Sequence, residues 1–145
     1  MKKELIELIN SQKLAVLSTC SNEHPYVNLV AYSYSDDLCY FYFATTRATR
    51  KYNNLSQNPE VSLLIDNRSN SIKDFQDAKA VTIIGLAEEL NEEQKQLAKD
   101  LYLSSHPYLE DFFSSPSSAL FKIKVRKFIL VTNFQNVFEI KPQNA

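Results

Sequence analysis

The chain has 145 residues, and its 44% hydrophobic content with 12% aromatics supplies one domain's core, spanning 1–145, and excludes a disordered chain. Its 16 Lys and Arg against 17 Asp and Glu leave a formal charge of -1, which argues against a protein whose main work is coating nucleic acid or an acidic membrane. The single glycine, Gly85, excludes a dinucleotide fingerprint, a Walker-type loop and a nucleophile elbow, each of which needs two or more glycines at fixed spacing.

Leu5, Leu8 and Ile9 recur at helical spacing, so the chain opens on an amphipathic helix that ends near Ser11 and Gln12. Glu4 and Glu7 lie inside that apolar pattern, which rules it out as a signal peptide or anchor. No apolar run approaches the roughly 20 residues of a membrane span. Three runs follow, at 14–17, 26–34 and 38–43, rich in β-branched and aromatic residues and parted by polar turns, and they read as a three-stranded meander. Cys20 and Cys39, in or beside these runs, read as reduced thiols of a cytoplasmic protein.

The polar, basic stretch from Thr45 to Lys51 leads into a helix through Tyr52 and Leu55 that Asn58 and Pro59 stop. Residues 61–65 form a strand, 66–77 an exposed loop, and 80–87 a further strand in which Gly85 marks a bulge or a close backbone approach. Asn91 with Gln94 three residues on makes a capping-box start for a helix whose expected buried stripe is Leu97, Ala98 and Leu101. Residues 104–118 are rich in Ser and Pro with aromatic insertions. Phe121, Ile123 and Val125 then alternate with Lys122, Lys124 and Arg126, and 128–131 and 137–140 give the last extended segments. About seven strands with three helices, outside βαβ alternation, predict a mainly β, predominantly antiparallel barrel or sandwich with flanking helices. With one glycine, its turns fall to Asn, Asp, Ser and the five prolines.

Thr49, Arg50 and Lys51 set a hydroxyl and two cations beside the unpaired N–H groups of a helix start, which outlines a phosphate site. A solvated first turn with ordinary surface cations is an equally weighted reading of those residues alone, although cations at that end oppose the helix dipole. Pro25 and Tyr26 with the strand after them, the strand end at Phe43, Ala44, Thr45 and Thr46, the Thr49-Arg50-Lys51 string, Asn58 to Ile65, and Ile84 to Leu90 occur in one order and spacing. Across roughly residues 14–90 that order resembles the FMN-binding split-barrel family typified by pyridoxamine 5'-phosphate oxidase.

The resemblance implies a Greek-key split barrel in a homodimer, with FMN between the subunits. It assigns the flavin phosphate to Thr49, Arg50 and Lys51, further contacts to Ala44 and Thr45, and the length of the isoalloxazine to Asn28, Leu29, Val30 and Ala31. The family's enzyme has an arginine where Asn28 stands and a glutamine where Ala80 stands, and it carries a C-terminal Trp and an Arg-x-His segment that this chain lacks. The vitamin B6 substrate therefore does not carry over, and no catalytic residue is named. The expectation is a cytoplasmic FMN-dependent oxidoreductase acting on a small molecule, without nucleic-acid or membrane partners; the alternative is a non-catalytic module for flavin or haem.

Other candidates carry less. Cys20, His24, Cys39 and His106 have no spacing that requires a metal site. His106 reads as an exposed loop histidine, a haem ligand or, with Tyr108 and Phe112, part of a pocket wall. Tyr26, Tyr32, Tyr34, Tyr40 and Tyr42 read as cross-strand packing before stacking on a planar ligand, and Arg47, Arg50 and Lys51 beside Tyr52 make only a small patch for RNA. Glu88, Glu89, Glu92 and Glu93 read as a solvated helix edge.

Overall fold

In the computed structural model, which describes residues 2–142, seven strands join antiparallel to their neighbours in one sheet. In chain order they are β1 (Leu14–Ser21), β2 (His24–Tyr34), β3 (Tyr40–Thr46), β4 (Glu60–Asp66), β5 (Ala80–Glu89), β6 (Ser118–Thr132) and β7 (Asn136–Ile140). The spatial order is β3-β2-β1-β4-β5-β6-β7, and β3 also pairs with β6, so six strands close into a barrel with β7 left outside. Five helices flank it: α1 (Lys2–Ser11), α2 (Arg50–Gln57), α3 (Asp74–Asp77), α4 (Glu92–Ser105) and α5 (Glu110–Ser114). No helix among the described residues is long and apolar enough to cross a membrane.

Alternation decides what fills the barrel. Ala15 and Leu17, Val30 and Tyr32, Phe41 and Phe43, Leu63 and Ile65, Val81 and Ile83 all bury inward, and Leu5, Leu8 and Ile9 of α1 add their stripe to the same core. The Tyr32 hydroxyl donates to the carbonyls of Ile9 and Gln12, which ties the end of α1 to β2. The two segments read at 121–125 and 128–131 are one strand, β6. Its buried set slips from odd positions (Phe121, Ile123, Val125) to even ones (Phe128, Leu130) because the register against β5 shifts between Ile84 and Gly85. Gly85 is both bulge and close approach: a Cβ built there would lie 2.4 Å from the Lys124 carbonyl oxygen.

With the single glycine inside β5, left-handed turn positions fall to other residues. Asn22, Asn70 and Asn133 follow the expectation, but Glu23, Leu38 and Phe134 also have positive φ. Leu38 and Cys39 belong to the turn before β3 and not to the strand, with the Asp37 carboxylate accepting from the Cys39 N–H at 2.9 Å. The loop after β4 contains the short α3. Asp74 there accepts from the N–H groups of Ser69, Asn70 and Ser71, which holds its carboxyl below the usual range.

The capping box of α4 forms as read, with the Asn91 side chain accepting from Gln94 N–H and the Gln94 side chain accepting from Asn91 N–H. Its expected stripe forms in part: Ala98 packs half-buried against the cluster of Leu90, Tyr102 and Phe113, but Leu97 is 81% exposed and the buried residues are Lys95 and Tyr102. Glu88 and Glu89 lie on β5, paired to Lys122 and Arg47, and are not a helix edge. Residues 104–118 fold into a 3-10 turn (Pro107–Leu109) and α5, which bury His106 and Phe113.

Gly85→Ala is expected to destabilise the fold by about 1–3 kcal/mol in a urea melt, because the contact it creates is with backbone. Glu23→Gly in the two-residue β1–β2 hairpin, where Asn22 and Glu23 both have positive φ, is expected to raise stability by about 0.5–1 kcal/mol in the same assay.

Candidate functional site

β2 pairs with β3 only through Tyr32, Ser33 and Tyr34, whereas β3 runs beside β6 over its whole length. Before Tyr32, β2 has β1 along one edge and, among the described residues, no strand along the other. A cleft of about 250 Å³ lies at this split. It brings together Leu29, Val30 and Ala31 of β2, Ala44 and Thr45 of β3, and Thr49 and Lys51 at the start of α2. Three residues that the sequence reading missed complete it: Thr46, Tyr102 and Leu109. Phe112, read as pocket wall, is there, but His106 and Tyr108 are not.

Two of the nine predicted site residues stand elsewhere. Asn28 lies opposite Leu17 on the barrel-facing side of β2, and its Oδ1 is buried without a hydrogen-bond partner among the described residues. Arg50 lines a separate cavity of about 400 Å³ with Asn53, Gln57 and the β1–β2 hairpin, its guanidinium 5.5 Å from the centre of the Tyr26 ring. Successive residues of a helix point about 100° apart, so Arg50 and Lys51 address different faces of the first turn.

Thr49 is the N-cap of α2, and its hydroxyl accepts from Tyr52 N–H at 3.3 Å. The same hydroxyl donates to the Thr46 carbonyl at 2.9 Å and lies 3.1 Å from the Thr45 hydroxyl, so its single proton is already committed. With Tyr52 N–H capped, the N–H groups of Arg50 and Lys51 are left without an intrahelical acceptor. Lys51 is half-buried, and that desolvation pulls its ammonium below the usual lysine range. Among the described residues no carboxylate lies within 4.0 Å of it. Arg47, the third cation of this stretch, has its anion: Glu89 at 2.7 Å, whose other oxygen accepts from the Tyr52 hydroxyl at 2.6 Å. Arg47 also donates to the carbonyls of Pro116 and Ser118, strapping β3 to the start of β6.

The far wall comes from α4 and α5. Tyr102 donates its hydroxyl to the Ala31 carbonyl at 3.1 Å, and burial pushes its phenol up to about 12. His106, 1% exposed, is no surface histidine; its Nε2 lies 2.6 Å from the next carbonyl, that of Tyr32. The spacing of Lys95, Ala98 and Tyr102 is the signal that locates this wall, and a lysine in the first position disguises it. Lys95 is buried because its ammonium donates to Ser118 O at 3.1 Å and sits over the Phe113 ring. Among the described residues no three His, Cys, Asp or Glu side chains gather as a metal site.

A family model described as pyridoxamine 5'-phosphate oxidase matches residues 1–132. Among solved structures the chain is similar to a heme binding protein from Mycobacterium smegmatis, with TM-score 0.82 and 16% identity over 94% of this chain and 56% of that one. It is similar to ChuZ from Campylobacter jejuni, with TM-score 0.83 and 16% identity over 99% of this chain and 60% of that one. A FAD-binding protein from Mesorhizobium loti matches with TM-score 0.73 and 22% identity over 90% of this chain and 91% of that one. These likenesses show the fold, and the chain spans little more than half the length of the first two proteins. No curated protein matches the sequence.

Tyr102→Phe deletes the bond to Ala31 and is expected to cost about 1 kcal/mol in a urea melt. A phenol raised from 10.0 to about 12 in the fold contributes stability that is complete below pH 10.0 and is lost as the pH rises toward 12. The variant is therefore expected to lose less stability than the parent across that window.

Proposed function

The chain belongs to the pyridoxamine 5'-phosphate oxidase family, and on that footing we propose that it is a homodimeric, FMN-dependent oxidoreductase acting on a small molecule. One observation carries the reading: a half-buried ammonium, Lys51, without a carboxylate partner among the described residues, at a helix start inside a cleft of mostly apolar wall. A cation in that position opposes the helix dipole and is relieved by a bound anion such as a phosphate. The residues present fit FMN in part. Lys51 and the N–H groups of Arg50 and Lys51 hold the phosphate, with the Thr46 hydroxyl available beside them, while Leu29, Val30 and Ala31 face Leu109 and Phe112 across the space for the ring. Thr49 contributes by capping the helix, and Arg50 and Asn28 contribute less than the resemblance implies. When bound, the flavin supplies the electron transfer, and the chain supplies placement and exclusion of water.

The cleft's volume supports a shared site, since about 250 Å³ falls below the roughly 300–1,000 Å³ of pockets that enclose a ligand. Leu29 at its mouth is 63% exposed and Val27, two residues along the same strand face, 61%. A second subunit over this face would cover both and close the cleft. The free thiols of Cys20 and Cys39 support a reducing, cytoplasmic setting. A second reading, a non-catalytic module that holds flavin or haem, draws on the heme binding neighbour and on a cleft whose ionisable side chains are Lys51 and Tyr102, neither a carboxylate nor a histidine. The burial of His106 counts against its serving as haem ligand.

Lys51→Ala is expected to weaken FMN by about 1.5–3 kcal/mol in a flavin-fluorescence titration, and Arg50→Ala by less than half of that. Val27→Asp is expected to convert a dimer to monomer by light scattering and to weaken FMN with it. For catalysis, reduced nicotinamide mixed with the FMN-loaded protein is expected to bleach the flavin, with reoxidation by oxygen, a quinone or a nitro compound. Flavin that stays oxidised with every donor, beside saturable haem binding at one per subunit, would leave the binding module standing.

A further inference from the structure

Alternate residues of β2 address its two edges in turn. Tyr32 N–H donates to Lys13 O on the β1 side at 3.3 Å, and Ser35 N–H donates to Tyr40 O on the β3 side at 2.9 Å. Ala31 and Leu29 therefore present their N–H and C=O groups toward β3. Pairing with β3 nevertheless ends at Tyr32 and Phe43. Carried on in the same register, it would set Ala31 against Ala44, Val30 against Thr45 and Leu29 against Thr46. All six residues line the cleft. The cleft is thus the unmade half of a β2–β3 ladder, and unpaired strand edges close on any edge within reach unless something holds them apart.

One side chain stands at the fork. Tyr102 donates its hydroxyl to Ala31 O at 3.1 Å, on the first residue past the last pair. Burial raises its phenol, and the backbone of Ala44, the residue that would face Ala31, pulls against that rise. The hydroxyl therefore reaches both residues whose pairing would be the next step. The ring behind it is fixed: Tyr102 is 1% exposed, stacks on Phe113 with 5.7 Å between centroids and lies 5.2 Å from the His106 ring. Phe113 is itself fully buried, with the Lys95 ammonium over its face. A ring backed in this way cannot retreat from the strands.

We propose that Tyr102 is a positioning residue for the cleft: its hydroxyl occupies the step between Ala31 and Ala44, stops β2 and β3 from pairing further, and keeps the binding space open before any ligand arrives. The wedge does not depend on flavin, whereas its effect on FMN rests on the function proposed above. Amide hydrogen exchange of the full chain without FMN, resolved by residue, reads the wedge. Tyr102→Leu keeps an apolar neighbour for Phe113 but is too short to reach Ala31, and Tyr102→Phe keeps the ring and removes only the hydroxyl. As the ladder extends, exchange at the Ala31 N–H is expected to slow at least tenfold in Tyr102→Leu and severalfold in Tyr102→Phe, with Leu29 slowing beside it. A side chain that merely stabilised the fold would give the opposite sign, because its loss speeds exchange. Flavin-fluorescence titration of Tyr102→Leu is expected to show FMN weakened at least tenfold, since the cleft must then unzip before it fills. Exchange at Ala31 that is unchanged or faster would overturn the wedge, and Tyr102→Phe decides the matter where Tyr102→Leu does not fold. Slowed exchange with undiminished FMN affinity would overturn its link to the cleft. A parent chain that binds no FMN would overturn the proposed function and leave the wedge to be judged on exchange.

Discussion

Everything about the candidate site follows from how β3 uses its two edges. One edge pairs with β6 from Tyr40 to Thr46, which closes the barrel; the other meets β2 only at Tyr32, Ser33 and Tyr34. Buried or half-buried backbone that lacks a strand neighbour must find other partners. At Ala31 that partner is a side chain of α4, the Tyr102 hydroxyl on its carbonyl. The helix that covers the split is thereby held to the strand that opens it, and the cleft is what remains between them.

Charge is divided with similar economy at the start of α2. Arg47 is neutralised by Glu89, and Tyr52 holds that carboxylate from its other side, so this cation serves the fold. Arg50 turns toward Tyr26 and the hairpin. Lys51 alone enters the cleft, half-buried and opposing the helix dipole, a placement that costs about 0.3–1 kcal/mol unless an anion offsets it. One basic string thus separates into a strap, a side chain beside an aromatic ring and a cleft-facing ammonium.

Much of this was legible in the sequence because it depends on local rules. The inward set of β6, the capping box of α4 and the role of Gly85 follow from alternation, side-chain chemistry and the lack of a Cβ. The cleft's β2, β3 and α2 residues were named from a resemblance in order and spacing, and most of them converge. What was missed depends on tertiary partners. Lys95 looks like a surface residue until Ser118 and Phe113 are folded beside it, and its burial turns α4 so that Tyr102 faces inward and Leu97 outward. His106 reads as a loop residue until the Tyr32 carbonyl is folded beside its ring. Asn28, assigned with Leu29, Val30 and Ala31 by the resemblance, lies opposite Leu17 and outside the cleft lining.

The central claim is that FMN enters the split beside β2 with its phosphate on the Lys51 side of α2. Amide hydrogen exchange of the chain with and without FMN tests it most directly. The account expects slowing at Leu29 and Ala31 together with Arg50 and Lys51. Saturable flavin binding that instead protects the β1–β2 hairpin and the Asn53 and Gln57 face around Arg50, with Leu29 and Ala31 unchanged, would contradict it.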